Sequence, residues 1–181
     1  MADYEPHVLE RLQRTEFELS KVFFDFCAAH DLPAAALYGT TLGALRHQGF
    51  IPWDDDMDVG MLRADFDRFT ALAGELPQNV ELLTVKRTSG YTLAFAKLCL
   101  KGTTFTESSH QERTYHQGIY IDIYPLDYAP KDADKRRALV RKAFLLGRLC
   151  TLAEYAKPVL PEGVTGLKAG LLRFACLCGH G

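Results

Sequence analysis

Residues 53–60 read Trp-Asp-Asp-Asp-Met-Asp-Val-Gly and carry four carboxylates within five positions. On a β-strand, Asp56 and Asp58 would point to the same face, because side chains repeat every two residues. Mg²⁺ prefers one or two carboxylates together with phosphate oxygens and water, so such a pair can hold it from one side. The alternative is an acidic surface turn. The apolar residues 50–53 before the run and Val59 after it favour the metal site, because they predict that both ends of the acidic segment are packed against the protein.

The sequence immediately upstream of the acids suits a phosphate. Residues 34–38 are expected to form a short strand, and Gly39, Thr40 and Thr41 follow it. A small residue with hydroxyls at a strand-to-helix turn lets backbone N–H groups approach a phosphate. Arg46 ends the short helix that follows, where it would either bridge a phosphate or remain a surface cation near a helix C-terminus.

A third acid lies much later in the chain. Residues 118–124 alternate as a strand does and place Asp122 on the face opposite to three isoleucines. Because strands are depleted in Asp, we interpret Asp122 as a third carboxylate for the same metal or as a general base. The alternative is a solvated acid on an exposed face, and Asp127 is assigned no role. Lys97, within the apolar strand predicted over 91–100, either faces solvent or reaches a phosphate.

Composition narrows the class of protein. The chain has 181 residues and a net charge of −2, from 21 Lys and Arg against 23 Asp and Glu. This balance argues against a general nucleic-acid-binding protein, which needs a basic surface. The first residues of the sequence are acidic and polar, whereas a secretory signal begins with basic residues and continues with an apolar run. No apolar run in the sequence reaches the ~18 residues of a membrane helix. We therefore expect a cytoplasmic protein without a transmembrane segment, with its five cysteines reduced.

The order of predicted elements gives the fold class. Helices and strands alternate early and strands then follow one another, which predicts a mixed sheet flanked by helices, class α/β or α+β. We expect a single domain over 1–181 with its core at about 10–130 and a helical part over 131–181. Helices are predicted over 5–30, 63–76, 131–156 and 162–178, and strands over 80–85, 91–100 and 118–124, the last ended by Pro125.

The motifs taken together resemble a known family. Residues 37–59 closely resemble the signature of the LicD family, bacterial phosphocholine-transferase-like proteins related to fukutin and fukutin-related protein. Residues 118–127 resemble its second block, and the resemblance covers about residues 10–130. Family members continue into a C-terminal part with aromatic and Tyr-Gly motifs. Because no counterpart follows Lys157, the chain is expected to be truncated relative to the family.

The resemblance implies a nucleotidyltransferase fold and a reaction. A substituted phosphate would pass from a CDP-linked donor such as CDP-choline to a glycan hydroxyl, with release of CMP. The acceptor would be a lipopolysaccharide, teichoic acid or capsule precursor. One or two Mg²⁺ ions, or Mn²⁺, would serve as cofactor. By this resemblance the metal and catalytic residues are Asp56, Asp58 and Asp122, and Gly39 and Thr40 form the loop for the donor phosphates. Thr41 of the same turn is also predicted to bind substrate, as are Arg46 and Lys97, whose charges would offset that of the diphosphate.

Two other functions are compatible with the same residues. An ordinary nucleotidyltransferase would pass NMP to a small acceptor and release pyrophosphate from an NTP. A nucleotide-binding or metal-binding remnant would have no turnover. For the leading hypothesis, the expected place of action is the cytoplasm, peripheral at the inner face of the membrane.

Overall fold

The computed structural model describes residues 4–106 and 114–154, with residues 149–154 as backbone only. The chain divides into two compact units, residues 1–127 and 128–181. Within its described part, the first unit contains five strands and three α-helices. They are α1 (Pro6–Ala29), β1 (Ala35–Ala36), α2 (Tyr38–His47), β2 (Asp58–Leu62), α3 (Arg63–Ala71), β3 (Val80–Leu83), β4 (Ala96–Leu100) and β5 (Tyr120–Leu126).

The five strands form one mixed sheet in the order β1-β2-β5-β4-β3. Strand β2 runs parallel to β5, whereas the other neighbours are antiparallel. The mixed α/β class predicted from the sequence is confirmed. The central strand is β5, which therefore has a hydrogen-bonded neighbour on each side, and the site depends on this placement.

Helix α1 follows from its sequence. Pro6 occupies the first turn, where its missing N–H costs nothing and its fixed φ suits a helix. Leu12, Leu19 and Phe23 recur at helical spacing and are buried. The helix stops just before Asp31, which takes a left-handed φ of 50°, so the helix predicted over 5–30 is confirmed.

The main core lies between the helices and one face of the sheet. Phe23 of α1 and Phe69 of α3 meet edge to face with ring centroids 5.3 Å apart. They pack in one apolar cluster with Val59, Ile121 and Ile123 of the two parallel strands. Burying such side chains contributes about 1.5–3 kcal/mol each. Because strand side chains alternate, Asp58 and Asp122 lie on the opposite face.

Two early elements differ from expectation. The strand predicted over 34–38 is only Ala35–Ala36, because α2 already begins at Tyr38. Tyr38 takes a φ of 42°, a conformation that is costly for a bulky residue and turns the chain sharply into the helix. Gly39 and Thr40 therefore lie in the first turn of α2, not in a loop before it.

Several predicted boundaries were wrong by a few residues. The helix predicted over 63–76 is confirmed as α3 followed by a 3₁₀ turn, Leu72–Glu75. Strand β4 begins at Ala96 rather than 91. Pro125 does not end β5, which continues to Leu126. The pairing of β5 with β4 stops at Ile123, so Pro125 lies where β5 has a partner on one side only, a position that tolerates proline.

The second unit is described through α4 (Ala133–Glu154). Asp132 caps this helix, since its Oδ1 accepts a hydrogen bond from the Lys135 N–H at 2.8 Å. The helix predicted over 131–156 is confirmed, and the one predicted over 162–178 lies outside the described residues. Among the described residues, no helix combines the length and apolar character that crossing a bilayer requires.

Candidate functional site

A row of polar side chains crosses the sheet on the face away from the main core. Asp58 of β2 is the register partner of Asp122 of β5, and Asp122 is in turn paired with Lys97 of β4. Register partners on adjacent strands project from the same face, so the three side chains lie side by side. The sheet itself brings together an acid at residue 58 and an acid more than sixty residues later.

Lys97 is an internal counter-charge for Asp122. Its Nζ lies 3.2 Å from Asp122 Oδ1, and both side chains are only 9% exposed. The ammonium also lies 3.1 Å from the centroid of the Tyr120 ring, a cation–π contact. Of the two positions that the sequence allowed for Lys97, solvent is excluded, whereas a contact with a donor phosphate stays a prediction.

Three further acids lie on the loop before β2. Carboxylate oxygens of Asp54, Asp55 and Asp56 all lie within 4.8 Å of one another. Asp56 was expected on the strand with Asp58, but β2 begins only at Asp58. The two side chains are nevertheless close enough that Asp58 raises the pKa of Asp56. Their proximity therefore comes from the loop, not from strand alternation.

The acids destabilise one another's charged forms. Burial, followed by the charges of Asp58 and Asp54, raises the pKa of Asp56 to about 6. Burial raises the pKa of Asp122 to about 7, although Lys97 opposes the rise. Burial also raises the pKa of Asp58, opposed first by a side-chain hydrogen bond from Tyr124. Carboxylates whose negative charges repel one another are suited to binding a divalent cation, which would neutralise them. Their hard oxygen donors are the ligands that Mg²⁺ prefers.

Glu16 of α1 was missed by the sequence reasoning. Its side chain is fully buried, and neither carboxylate oxygen has a hydrogen-bond partner among the described residues. Burial, followed by the charges of Asp56 and Asp55, raises its pKa to about 9. A signal existed, since Leu12, Glu16 and Leu19 follow the inward-facing helical spacing. An acidic residue on the apolar face of a helix is unusual, and this pattern could have identified Glu16 from the sequence.

The first turn of α2 is hydrogen-bonded to strands β1 and β2, next to the acids. A Cβ added at Gly39 would lie 2.7 Å from Asp54 Oδ2, so a larger residue here would displace this carboxylate. The Asp58 N–H donates to Thr40 Oγ1 at 2.8 Å, and the Thr41 hydroxyl donates to the Ala36 carbonyl at 2.6 Å. Both hydroxyls thus hold α2 to the sheet, and their contact with donor phosphates stays a prediction.

Arg46 and Asp127 are both exposed. Arg46 is exposed at the far end of α2, about 9 Å along the helix axis from Thr40 at 1.5 Å per residue. Asp127 forms a two-bond ion pair with Arg63, at 2.7 and 2.9 Å, on the surface. The pair lowers the pKa of Asp127 and gives it a structural partner.

A cavity of about 250 Å³ opens beside the acids. The lining combines acidic, aromatic and apolar side chains with one lysine. Its lining residues are Asp55, Asp56, Leu93, Phe95, Lys97, Phe105, Tyr120 and Asp122. A small organic group could therefore lie in contact with Asp56 and Asp122 while burying apolar surface.

Without a cation, we expect the free energy of unfolding to fall as the pH rises from about 4 to about 7. Asp56 and Asp122 have folded pKa values of about 6 and about 7, against ~3.9 for an unfolded Asp. In this window the folded protein binds more protons than the unfolded chain. The stability that is present below pH ~4 is therefore lost as the pH rises through the pKa values of the two folded-state carboxyls. Glu16, with a pKa of about 9, extends the loss upward. Urea unfolding in EDTA from pH 4.5 to 9 measures this slope.

Asp56→Asn is expected to flatten that slope and to stabilise the cation-free protein at pH 8 by about 1 kcal/mol, because one of the repelling charges is removed. Asp25→Asn, which alters an exposed acid of α1, is the matched control. The same pH slope in both variants would contradict the electrostatic account of the cluster.

Comparison with known proteins agrees with the motifs. Residues 32–144 match the model of the family described as LicD/FKTN/FKRP, nucleotidyltransferase domain. The chain is 30% identical over 122 residues to the lipopolysaccharide cholinephosphotransferase LicD of Haemophilus influenzae, covering 66% of this chain and 44% of that protein. It is 37% identical over 91 residues to an uncharacterized protein of Rickettsia typhi, covering 50% of this chain and 27% of that protein. The chain spans less than half the length of these relatives.

Proposed function

The chain belongs to the LicD family, and from this premise we propose that it transfers a substituted phosphate from a CDP-linked donor to a hydroxyl of a cell-surface glycan, releasing CMP. The observation that carries the proposal is the pairing of Asp58 with Asp122 across two parallel strands, next to the acids of residues 54–56. Phosphoryl transfer needs positioning and neutralisation of charge more than covalent chemistry, and a divalent cation held by these acids would supply both.

Asp56, Asp58 and Asp122 would hold one or two Mg²⁺ ions, with Mn²⁺ as a substitute. When bound, such ions neutralise charge on the donor phosphates and favour in-line displacement. Asp122 would also accept the proton of the attacking hydroxyl, because Lys97 orients its carboxylate through Oδ1. Lys97 lines the cavity, where the diphosphate would lie.

The substrates are proposed from two sources. The Haemophilus influenzae relative is named a lipopolysaccharide cholinephosphotransferase, which supports phosphocholine as the group transferred and lipopolysaccharide as the class of acceptor. The aromatic side chains that line the cavity, including Phe95 and Tyr120, support a donor head group with apolar or cationic character. With these substrates, we propose that the protein acts in the cytoplasm at the inner face of the membrane.

A second function is supported by the description of the matching family as a nucleotidyltransferase domain. In that case the protein would pass NMP from an NTP to a small acceptor and release pyrophosphate. The products separate the two functions, since the proposed transfer releases CMP from CDP-choline and no pyrophosphate. A protein that binds the donor without turnover would release neither product.

We expect CDP-choline with Mg²⁺ to raise the melting temperature by roughly 5–10 °C at a ligand concentration of 100 times Kd, because binding then adds about 2.7 kcal/mol to the free energy of unfolding. Differential scanning fluorimetry measures the shift, and chromatography of the same mixtures measures CMP. The controls are CDP-choline with EDTA and Mg²⁺ alone. No shift at millimolar CDP-choline would contradict the proposed donor.

A further inference from the structure

A second cavity, of about 560 Å³, adjoins the cavity beside the acids. Helix α3, the turn after β3 and residues 93–95 line it, and Leu93 and Phe95 line both cavities. Its volume lies within the roughly 300–1,000 Å³ that is usual for small-molecule sites. None of the residues assigned above to the metal or to the donor phosphates belongs to this lining. The second cavity therefore has no role in the steps described so far.

The charged side chains that line the second cavity are mostly cationic. They are Arg63, Lys86 and Arg87, against a single acid, Asp67. Arg63 is already paired with Asp127. Lys86 and Arg87 are exposed, and neither forms an ion pair with any described residue. Because a guanidinium can hold a phosphate or a carboxylate through two parallel hydrogen bonds, this lining favours an anionic ligand.

The turn after β3 is ordered by its own backbone. The Thr84 carbonyl accepts hydrogen bonds from the N–H groups of Arg87 at 3.1 Å and Thr88 at 3.0 Å, which holds the two exposed cations beside the cavity. Thr84 itself lines the cavity and is 8% exposed, and its Oγ1 has no hydrogen-bond partner among the described residues. Buried polar groups are nearly always paired, and a ligand that carries hydroxyl groups would supply the missing partner.

We propose that the second cavity binds an anionic saccharide, a sugar carrying a phosphate or a carboxylate, and that this sugar is the part of the glycan acceptor next to the attacking hydroxyl. Lys86 and Arg87 hold the acidic group, and Thr84 pairs with a sugar hydroxyl. The cavity beside the acids, at about 250 Å³, is too small for both substrates of the transfer. The role as acceptor rests on the proposed function, whereas the binding of the saccharide rests on the second cavity alone.

Binding of glucose 6-phosphate to the full chain tests the proposal, by saturation-transfer difference NMR at neutral pH in EDTA. Glucose and inorganic phosphate should each bind at least about tenfold more weakly, because each lacks one half of the ligand. Lys86→Gln combined with Arg87→Gln should weaken the binding of glucose 6-phosphate at least about tenfold, since hydrogen bonds to charged groups are the strong ones. The matched control is Arg11→Gln combined with Arg14→Gln, which removes two exposed cations of α1 and should change nothing.

Two further variants separate the cavity from surface charge. Ala71→Trp fills the cavity from the exposed end of α3 without changing any charge, and it should also weaken binding at least about tenfold. Thr84→Val removes only the unpaired hydroxyl and should weaken binding about three- to tenfold. It should not lower the urea midpoint, because the folded chain loses no hydrogen bond. Circular dichroism checks the fold of every variant.

Unchanged affinity in the double cavity variant or in Ala71→Trp would overturn the proposal. It would equally be overturned by an absence of glucose 6-phosphate binding in the wild type, by glucose or inorganic phosphate binding as tightly, or by the same loss in the α1 control. The double cavity variant should keep the wild-type thermal shift with CDP-choline and Mg²⁺, and loss of that shift would assign the second cavity to the donor. If the wild type shows no such shift, the proposed donor fails, and the NMR experiment still decides whether the saccharide binds.

Discussion

Replacing Asp58 with asparagine is expected to lower Mg²⁺-dependent release of CMP from CDP-choline by roughly 10³-fold or more. The substitution keeps the shape of the side chain but removes one of the two acids that face each other across β2 and β5. A cation at a transferring phosphate is worth several kcal/mol of transition-state stabilisation, and each 1.36 kcal/mol is tenfold in rate. The initial rate of CMP formation at saturating donor and Mg²⁺ measures the loss.

The fold should survive this change. The Asp58 backbone N–H still donates to Thr40, and the side chain loses a charge that burial disfavours. Asp127→Asn is the matched control, because it removes an acid from an exposed ion pair with Arg63 and should alter stability by less than about 1 kcal/mol. Turnover of Asp58→Asn near the wild-type rate would refute the role of the strand acids, and equal losses in both variants would point to a general effect of charge.

Gly43→Ala is expected to destabilise the protein by about 3 kcal/mol. A Cβ at this buried position of α2 would lie 2.5 Å from the Gly49 carbonyl oxygen and 2.9 Å from the Ile51 nitrogen. Both contacts are backbone, which cannot rotate away as a side chain can, so overpacking outweighs the ~1 kcal/mol that alanine normally gains over glycine in a helix. Urea unfolding at pH 7 measures the difference.

Gly49→Ala is the natural comparison. A Cβ at Gly49 would meet nothing within 4 Å, and its expected effect is less than about 0.5 kcal/mol. Because Gly43 abuts the segment that leads into the acidic loop, its alanine variant should also weaken Mn²⁺ binding, whereas Gly49→Ala should not. Equal unfolding midpoints for the two variants would show that α2 can shift without cost.

Local patterns in the sequence predicted most of the helices and strands, because each pattern depends on residues that are close together in the chain. The helical spacing of α1 and the alternation around Asp122 each follow from the periodicity of one element. Boundaries were less predictable. The end of β5 depended on whether a neighbour was present beside Pro125, and the start of α2 depended on an unusual φ at Tyr38. Neither condition is visible in local composition.

The candidate site was only partly predictable for the same reason. The acids at positions 56, 58 and 122 were selected from motif and alternation, but the ion pair between Lys97 and Asp122 depended on the register between β4 and β5. Likewise, Gln13 of α1 donates to the carbonyl of Asp54, which lies 41 residues later in the chain. Contacts between distant segments are set by topology, and a single sequence does not specify the register of strands that are far apart in the chain.

The pairing of β2 with β5 has a consequence for how such a protein can diversify. Asp58 and Asp122 owe their mutual distance to neighbouring backbones about 4.8 Å apart rather than to the loops around them. Insertions and exchanges in the surrounding loops can therefore change the lining of the cavity without changing the spacing of the two acids. If the proposed transfer is correct, loops grafted from other members of the family should change substrate preference while turnover is preserved.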